Sequence, residues 1–351
     1  MRNLLALKYS LAFSLYIFAF LAFLLPGYWT YALVIYGYGI IPVIELFYKP
    51  NFNNIMEEEK TKLNQNRVYD YLIYLMIPSH YLALAFFFYS INQPNLETYE
   101  IIGRILTMGT ICGHSINVAH ELGHRGKKFE QNLAKTLLLG SLYMHFIIEH
   151  NRGHHQRVAT REDPATARKG EILYTFLCRS ILYSFISAWQ LEHKRLKDRN
   201  KKILCFENEM IRFSVIQISL CVIIVLFLGF ISLLYFFTVS LMGIILLETI
   251  NYVEHYGLMR KKNENEKYEK INLMHSWNAN ITLGRIMLFE LSRHSDHHLI
   301  SSKKYQTLNS HIGAPEYPTG YIGMILLSLF PPAWFMIVHP LLEKVYNSKI
   351  K

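Results

Sequence analysis

Apolar residues in this chain are grouped in long stretches, which are separated by segments rich in polar and charged residues. A stretch of about 20 apolar residues is long enough for a helix to cross the hydrocarbon core of a bilayer. The last two such stretches follow each other directly, and Gly229 is a plausible turn between them. We therefore predict an all-α membrane protein with six spanning helices, at residues 4–25, 28–48, 69–90, 99–119, 211–229 and 231–250.

Two further apolar stretches, 131–148 and 321–338, fit this topology poorly as spans. A span at 131–148 would separate two neighbouring histidine clusters across the membrane, so we predict a re-entrant or interfacial helix there. In the second stretch, Pro331 and Pro332 argue against a straight spanning helix. We expect it to pack beneath the helix bundle or to lie at the interface. The chain, residues 1–351, is interpreted as a single integral-membrane domain.

The composition and the distribution of charge support a membrane protein. Hydrophobic residues make up 52% of the chain, above the usual share of about 45–50% in soluble domains. Of the 36 Lys and Arg residues, seventeen lie within 120–212 and nine within 251–320, whereas the connections near 26–28, 91–98 and 229–231 contain none. The positive-inside rule then places both termini and the regions 120–210 and 251–320 in the cytoplasm, which predicts the cytoplasmic (inner) membrane as the location. Cations that flank spans do not indicate nucleic-acid binding.

The four cysteines, Cys112, Cys178, Cys205 and Cys221, form no C-x-x-C pair. We interpret them as reduced structural thiols, because no zinc or iron–sulfur motif is present. The N-terminal apolar stretch is long and lacks a small-residue cleavage site, so we expect a retained helix rather than a signal peptide.

Nine of the 16 histidines fall into four short clusters next to predicted cytoplasmic ends of helices. Neutral imidazole is a common ligand of transition metals. Residues three or four positions apart share a helix face, so each cluster can aim one to three nitrogens at a common point. The clusters predict a metal enzyme with two metal ions, whose ligands are His120 and His124, then His150, His154 and His155, then His255, and last His294, His297 and His298.

Four acidic residues, Glu121, Glu149, Glu254 and Asp296, neighbour these histidines. Imidazoles that bind a metal commonly donate their second N–H to a carboxylate. We therefore expect these four residues to orient the metal ligands. Isolated histidines are more often structural, which is our interpretation of His80, His193 and His339. It also holds for His114 and His145, although a supporting role near the clusters stays open for these two.

Two other classes of protein compete with this interpretation. The sequence His120-Glu-x-x-His124 matches the zinc-peptidase signature, but a zinc peptidase would leave six of the clustered histidines without a role. A metal transporter or sensor would need polar residues in the middle of its spans, whereas these histidines lie at the ends.

Taken together, the motifs resemble those of the alkane 1-monooxygenases. The resemblance rests on His120–Arg125, Glu149–His155, Arg293–His298 and the motif Asn251–Gly257, which distinguishes this family from the membrane desaturases. It continues through Asp163-Pro-Ala-Thr, His275-Ser-Trp-Asn and Gly320–Pro332, from about residue 40 onward. The chain departs from the family pattern at four positions, none of which is a ligand. The family often has a larger residue in place of Gly123, Lys in place of Arg125, Gln in place of Ser292 and Ala in place of Leu299.

The resemblance implies a non-haem diiron centre with two Fe ions, held by the nine histidines at the cytoplasmic end of six helices. It also implies the use of O₂ and of electrons from a rubredoxin-type carrier, which its reductase supplies. The implied reaction is hydroxylation of the terminal methyl group of medium or long n-alkanes. An alkane has no polar group, so a narrow apolar pocket must select the reacting carbon, and Trp29, Tyr31, Tyr36 and Tyr38 are candidates for setting its length. A fatty-acyl desaturase, or a hydroxylase of another apolar terminal methyl group, remains an alternative with the same metal site.

Overall fold

The computed structural model describes residues 2–348, and these residues are mainly helical. The β-type pairings within that range are two isolated bridges, one between Lys262 and Tyr268 and one between Asn278 and Glu316. Helix α1 comprises Arg2–Leu7, a 3₁₀ segment Lys8–Ala12 and Phe13–Leu24, and α7 comprises Phe146–Glu149, a π-helical segment His150–His154 and His155–Arg157. The other helices are α2 (Gly27–Glu45), α3 (Glu57–Gln65), α4 (Arg67–Ile91), α5 (Thr98–Gly123), α6 (Lys128–Leu139), α8 (Leu173–Lys197), α9 (Glu209–Leu228), α10 (Phe230–His255), α11 (Thr282–Met287), α12 (His294–Leu299), α13 (Tyr321–Ser328) and α14 (Pro331–Ser348).

Five helices are long and apolar enough to cross a membrane, and they coincide with five of the predicted spans. They are Leu5–Leu24 in α1, together with α2, α4, α9 and α10. Gly229 is the turn between α9 and α10, as predicted, and its φ of 85° is a conformation that glycine adopts without strain. The apolar helices identify an integral membrane protein.

The fourth predicted span, 99–119, coincides with α5, which has 26 residues but is not among the five apolar helices. From Thr107 to Gly123 every residue of α5 is buried, because the helix lies in the centre of the bundle. A central helix is covered by protein rather than by lipid, so it tolerates polar side chains that lower its hydropathy. The count of six spans therefore stays a prediction.

Small residues let α5 and α10 approach closely. A Cβ atom on Gly109 would lie 2.4 Å from Sδ of Met242, and one on Gly243 would lie 2.5 Å from Cβ of Cys112. Small residues at a helix interface permit such backbone contact inside a membrane. This close packing of the two helices holds their C-terminal ends, which carry His120 and His255, in a fixed relation.

The two stretches that were not expected to span form broken helices. The first consists of α6 and the start of α7, which are separated by an irregular segment where Leu142 has a φ of 51°. The second breaks between α13 and α14, and α14 begins at Pro331 as the proline pair predicted. Trp334 of α14 is fully buried, with its ring 5.1 Å from that of Tyr252.

The 25-residue helix α8 was not predicted from the sequence, which indicated only a basic cytoplasmic region at 120–210. Polar residues occur along the whole helix, among them Arg179, Ser187 and Lys194, so the segment lacks the continuous apolar run that marks the predicted spans. The predicted cytoplasmic location of both termini also concerns residue 1 and residues 349–351, which lie outside the described residues.

Candidate metal centre

The nine clustered histidines come together in two adjoining groups at the ends of α5 and α10. Within each group one ligand atom per residue lies within 4.8 Å of all the others. The groups touch, since the rings of His155 and His298 have centroids 4.5 Å apart. The five-histidine group contains His120, His124, His150, His155 and His297, and the four-histidine group contains His154, His255, His294 and His298.

The first cluster behaves as its spacing predicted. His120 and His124 lie one turn apart at the end of α5, and both belong to the five-histidine group. Nε2 of His120 is 3.0 Å from Nε2 of His297, and Nε2 of His124 is 3.1 Å from Nε2 of His150.

The second cluster divides between the two groups. His150 and His155 face the five-histidine group with their Nε2 atoms 3.0 Å apart, whereas His154 faces the four-histidine group. The cause is the π-helical segment His150–His154. A π-turn aligns residues five apart instead of four, so Nε2 of His155 rather than that of His154 faces Nε2 of His150.

The last cluster also divides between the two groups. His294 and His298, one α-turn apart, lie in the four-histidine group with Nε2 atoms 2.9 Å apart. Nε2 of His294 is also 3.2 Å from Nε2 of His255, at the end of α10. His297 points the other way, and its Nε2 lies 3.2 Å from Nε2 of His155.

The facing nitrogens fit a metal better than they fit each other. Burial, and then the neighbouring imidazoles, hold the pKa of His150, His155 and His297 well below the usual value, so these rings are neutral at pH 7. Nε2 of His150 and Nε2 of His297 each face two other Nε2 atoms, and a neutral imidazole nitrogen can make only one of these contacts a hydrogen bond. The other contact is repulsive unless a cation lies between the nitrogens. Metal–nitrogen bonds of about 2.1 Å at right angles would place neighbouring nitrogens about 3.0 Å apart. Nε2 of His154, moreover, is buried without a hydrogen-bond partner.

Hydrogen bonds on the far side of the rings orient the four-histidine group. Nδ1 of His154 lies 2.9 Å from Oδ2 of Asp163, and Nδ1 of His255 lies 3.4 Å from the carbonyl oxygen of His275. Burial lowers the pKa of His154, but the Asp163 carboxylate more than offsets this and raises it. In such a carboxylate–histidine pair Nδ1 carries the proton and Nε2 presents its lone pair to a metal.

The sequence analysis missed Asp163 as an orienting residue. Its carboxylate is held in place by Thr166, whose hydroxyl donates to Oδ2 at 2.6 Å. The available signal was an Asp-Pro turn nine residues after His154, with a threonine three positions further on. An Asp-Pro turn is not a metal-binding motif, so the role of Asp163 could be recognised only from the structure, which places it next to His154.

The four acidic residues that were expected to orient ligands make different contacts. Oε1 of Glu254 lies 3.3 Å from Nδ1 of His294, but the two atoms are not aligned for a hydrogen bond. Glu121 accepts from Arg125, and Glu149 accepts from Arg157 at 2.7 Å. Asp296 pairs with Lys303 and with His311. A buried carboxylate gains more from a full positive charge than from a neutral imidazole, which explains these pairings.

The remaining predicted structural histidines lie outside both groups. His193 is exposed, and His80 is completely buried. His339 lies 2.8 Å from the hydroxyl of Tyr256, and the ring of His145 lies between those of Tyr143 and Phe185.

A buried ion network supports the end of α5 on the side away from the metal groups. Arg125 is 5% exposed and donates to three carboxylates, with distances of 2.5 Å to Asp70, 2.8 Å to Glu121 and 3.1 Å to Glu130. Lys304 also binds Asp70 at 2.8 Å. The network ties α4, α5 and the segment after α12 together next to His124.

A mostly apolar cavity lies in the bundle on the membrane side of the two groups. It runs along α5 past Thr110, His114 and Asn117, and thus towards His120 on the same helix face. Its other lining residues are Leu15, Gly37, Tyr38, Gly113, Leu246, Ile250, Leu288, Ile322 and Ile325.

The aromatic residues that were proposed to set the length of a pocket take different positions. Tyr38 lines this cavity, and the π-helical segment Ile35–Ile40 of α2 carries it. Trp29 is 57% exposed, Tyr31 donates to the carbonyl oxygen of Tyr99, and Tyr36 stacks on the ring of Phe18.

Comparison with known proteins finds matches over most of the chain. The family model for fatty acid desaturase matches residues 100–325. An alkane 1-monooxygenase of Pseudomonas putida is 39% identical over 86% of this chain and 75% of its own length. Alkane 1-monooxygenase 1 of Alcanivorax borkumensis is 38% identical over 88% of this chain and 76% of its own length. The hydroxylase component XylM of a Pseudomonas putida xylene/toluene monooxygenase is 26% identical over 69% of this chain and 64% of its own length.

The ion network around Arg125 predicts a difference between two substitutions. Arg125→Gln leaves buried carboxylates without their shared cation, which costs about 3–5 kcal/mol for a fully buried pair. We expect somewhat less here, because Lys304 still pairs with Asp70. Arg125→Lys keeps the charge but loses the forked geometry, so we expect a smaller loss. Thermal unfolding of the purified protein in detergent measures both variants.

The matched control is Arg199→Gln, which removes an exposed arginine far from the network. If Arg125→Gln and Arg199→Gln unfold at the same temperature as the parent protein, the network does not stabilise the end of α5.

Proposed function

Since this chain belongs to the alkane 1-monooxygenases and to the broader fatty acid desaturase family, we propose that it hydroxylates the terminal methyl group of medium or long n-alkanes. An alkane, O₂, two electrons and two protons yield a 1-alkanol and water. The observation that carries this proposal is the convergence of nine imidazoles, seven of them buried and two partly buried, in two adjoining groups next to a helix that also lines an apolar cavity.

We propose two iron ions as the cofactor, one bound by the five-histidine group and one by the four-histidine group. When bound, the iron ions supply the activation of dioxygen and the oxidation of the C–H bond. Asp163 holds the proton on Nδ1 of His154 and thereby keeps Nε2 free to bind. Glu254, whose Oε1 lies 3.3 Å from Nδ1 of His294, is proposed to support that ligand electrostatically, while Glu121, Glu149 and Asp296 fix the surrounding helices and loops through their ion pairs.

The protein's part in the reaction is to place the methyl group and to exclude water. Leu15, Leu246 and Ile250 give the cavity an apolar wall that an alkyl chain can follow. Because the cavity runs along α5 towards His120, a chain inside it reaches the metal groups with its terminal methyl group first. Tyr38 lies in the wall and is the residue proposed to limit the chain length.

The positive-inside rule supports a cytoplasmic (inner) membrane location with the histidine groups and both termini on the cytoplasmic side. A cleft of about 780 Å³ on this polar part of the protein is lined by five cations, Arg161, Arg168, Lys169, Arg260 and Lys262. Arg260 donates to the carbonyl oxygen of Gln156 at 2.9 Å, and Gln156 directly follows His155.

We propose this basic cleft as the docking site of a small acidic electron carrier of the rubredoxin type, which its reductase recharges. Positive surfaces steer acidic partners and raise their association rate. Through Arg260 the cleft also contacts Gln156, the residue that follows His155. His155 is a partly exposed histidine of the five-histidine group. The four cysteines are scattered and free, so the carrier is a separate protein.

Other chemistries fit less well. A zinc peptidase would use Glu121 as its base, but Oε1 of Glu121 is already bound by Arg125 and by the backbone N–H of Tyr305. A fatty-acyl desaturase would use the same histidine groups, as would a hydroxylase of another apolar terminal methyl group. The similarity with the hydroxylase component of a xylene/toluene monooxygenase makes xylene and toluene substrates to test for the second class.

A product assay separates these enzymes. Membranes that contain the protein, supplied with O₂ and a reduced rubredoxin-type carrier, are incubated in turn with octane, hexadecane, xylene and an acyl thioester. We expect 1-alkanols, and we expect their loss in His154→Ala but not in His193→Ala, which replaces an exposed histidine away from both groups. A double bond in the acyl chain with no alcohol from either alkane would contradict the proposal.

Charge reversal tests the docking surface. The double variant Arg161→Glu and Lys262→Glu should lower the apparent second-order rate constant for the reduced carrier about tenfold or more at low salt, and high salt should shrink the difference. The matched control is Lys197→Glu with Lys202→Glu, two exposed cations of a different basic surface. Equal losses in both double variants, or rates that do not depend on salt, would contradict docking at the cleft.

A further inference from the structure

His114 lines the cavity and carries an acceptor atom that no residue of the protein satisfies. It lies on α5 and is 6% exposed. Its Nε2 lies 3.1 Å from the carbonyl oxygen of Met287, and its Nδ1 is buried without a hydrogen-bond partner. A carbonyl oxygen accepts hydrogen bonds and never donates them, so Nε2 must carry the proton. Nδ1 is therefore a bare acceptor.

The other polar groups of this wall already have partners. The side-chain amide of Asn117 donates to the carbonyl oxygen of Leu288 at 3.0 Å, and the hydroxyl of Thr110 donates to that of Leu106 at 2.9 Å. His80 is also buried with unpaired nitrogens, but it packs against Gly140 and does not line the cavity. His114 combines an unpaired acceptor with a place in the cavity wall.

Met287 is held where it fixes the imidazole. Phe289 and Glu290 follow it with φ values of 52° and 60°, an unusual conformation for two consecutive residues other than glycine. This turn directs the carbonyl groups of Met287 and Leu288 at α5, and Tyr9 anchors it by donating to Glu290 at 2.6 Å. The ring of His114 is therefore positioned rather than free to turn its acceptor away.

We propose that Nδ1 of His114 binds the hydroxyl group of an alcohol whose methyl end is at the metal groups. The protein then has a second activity, hydroxylation of the ω-methyl group of 1-alkanols to α,ω-diols. This inference rests on the proposed alkane hydroxylation, and its reaction balances in the same way: a 1-alkanol, O₂, two electrons from the carrier and two protons give a diol and water.

Geometry limits the length of such a substrate. His114 and His120 are six residues apart on α5, which corresponds to about 9 Å along the helix axis. An extended alkyl chain must span at least this distance, so alcohols shorter than roughly six carbons cannot use both sites. An n-alkane has no donor for Nδ1, and therefore gains nothing from His114 beyond packing.

The test compares substrates of equal length on the unmodified protein and on variants. We expect kcat/KM for decan-1-ol, relative to that for decane, to fall about tenfold in His114→Leu, which is about 1.4 kcal/mol, and mainly through KM. His114→Gln should keep most of this ratio, because an amide can donate to Met287 and still accept from the alcohol. Tyr16→Phe is the matched control. It removes a buried, unpaired hydroxyl next to His114, but Tyr16 does not line the cavity, so the ratio should stay the same.

A second measurement does not depend on any variant. An alkyl methyl ether of the same length has an oxygen but no O–H donor, so it should lose the advantage of the alcohol at the unmodified protein. If alkanes are hydroxylated but the alcohol and the ether react equally, or His114→Leu leaves the ratio unchanged, His114 does not bind a hydroxyl group. If neither alkanes nor alcohols are oxidised, the proposed function itself is wrong.

Discussion

Nine imidazoles are packed so tightly that several of their Nε2 atoms face each other at about 3 Å, and this arrangement constrains the rest of the structure. Such an arrangement is unfavourable in a low-dielectric interior unless a cation balances it. The residues around the two histidine groups hold the imidazoles in this arrangement. The glycine-lined contact between α5 and α10 sets the positions of His120 and His255, and Asp163 fixes the face that His154 presents.

The positions of the apolar helices follow from the pattern of the chain, since the length of an apolar stretch and the presence of Gly229 depend only on local residues. The division of the histidines into two groups does not follow from local spacing. His150 and His154 have the spacing of a common helix face, and only the π-helical segment between them, which tertiary packing imposes, sends them to different groups. Asp163 was missed for the same reason, because its role depends on a fold that brings the turn back to His154.

The polarity of α5 also illustrates a limit of hydropathy. Its residues from Thr107 to Gly123 are covered by other helices, so His114 and Asn117 are compatible with a central helix although they lower its apolar character. Its C-terminal end carries two histidines of the metal groups, and the preceding turns form one wall of the apolar cavity. The proposed placement of the substrate and the proposed metal binding thus depend on one helix.

The central claim is that the nine histidines form two metal sites whose protein ligands are all nitrogen atoms. X-ray absorption at the iron edge, combined with metal analysis of the purified protein, tests this most directly. The account predicts about two irons per chain with imidazole nitrogen as the protein ligand, from five residues at one ion and four at the other. A single zinc ion per chain, or iron bound mainly by carboxylate oxygen, would contradict it.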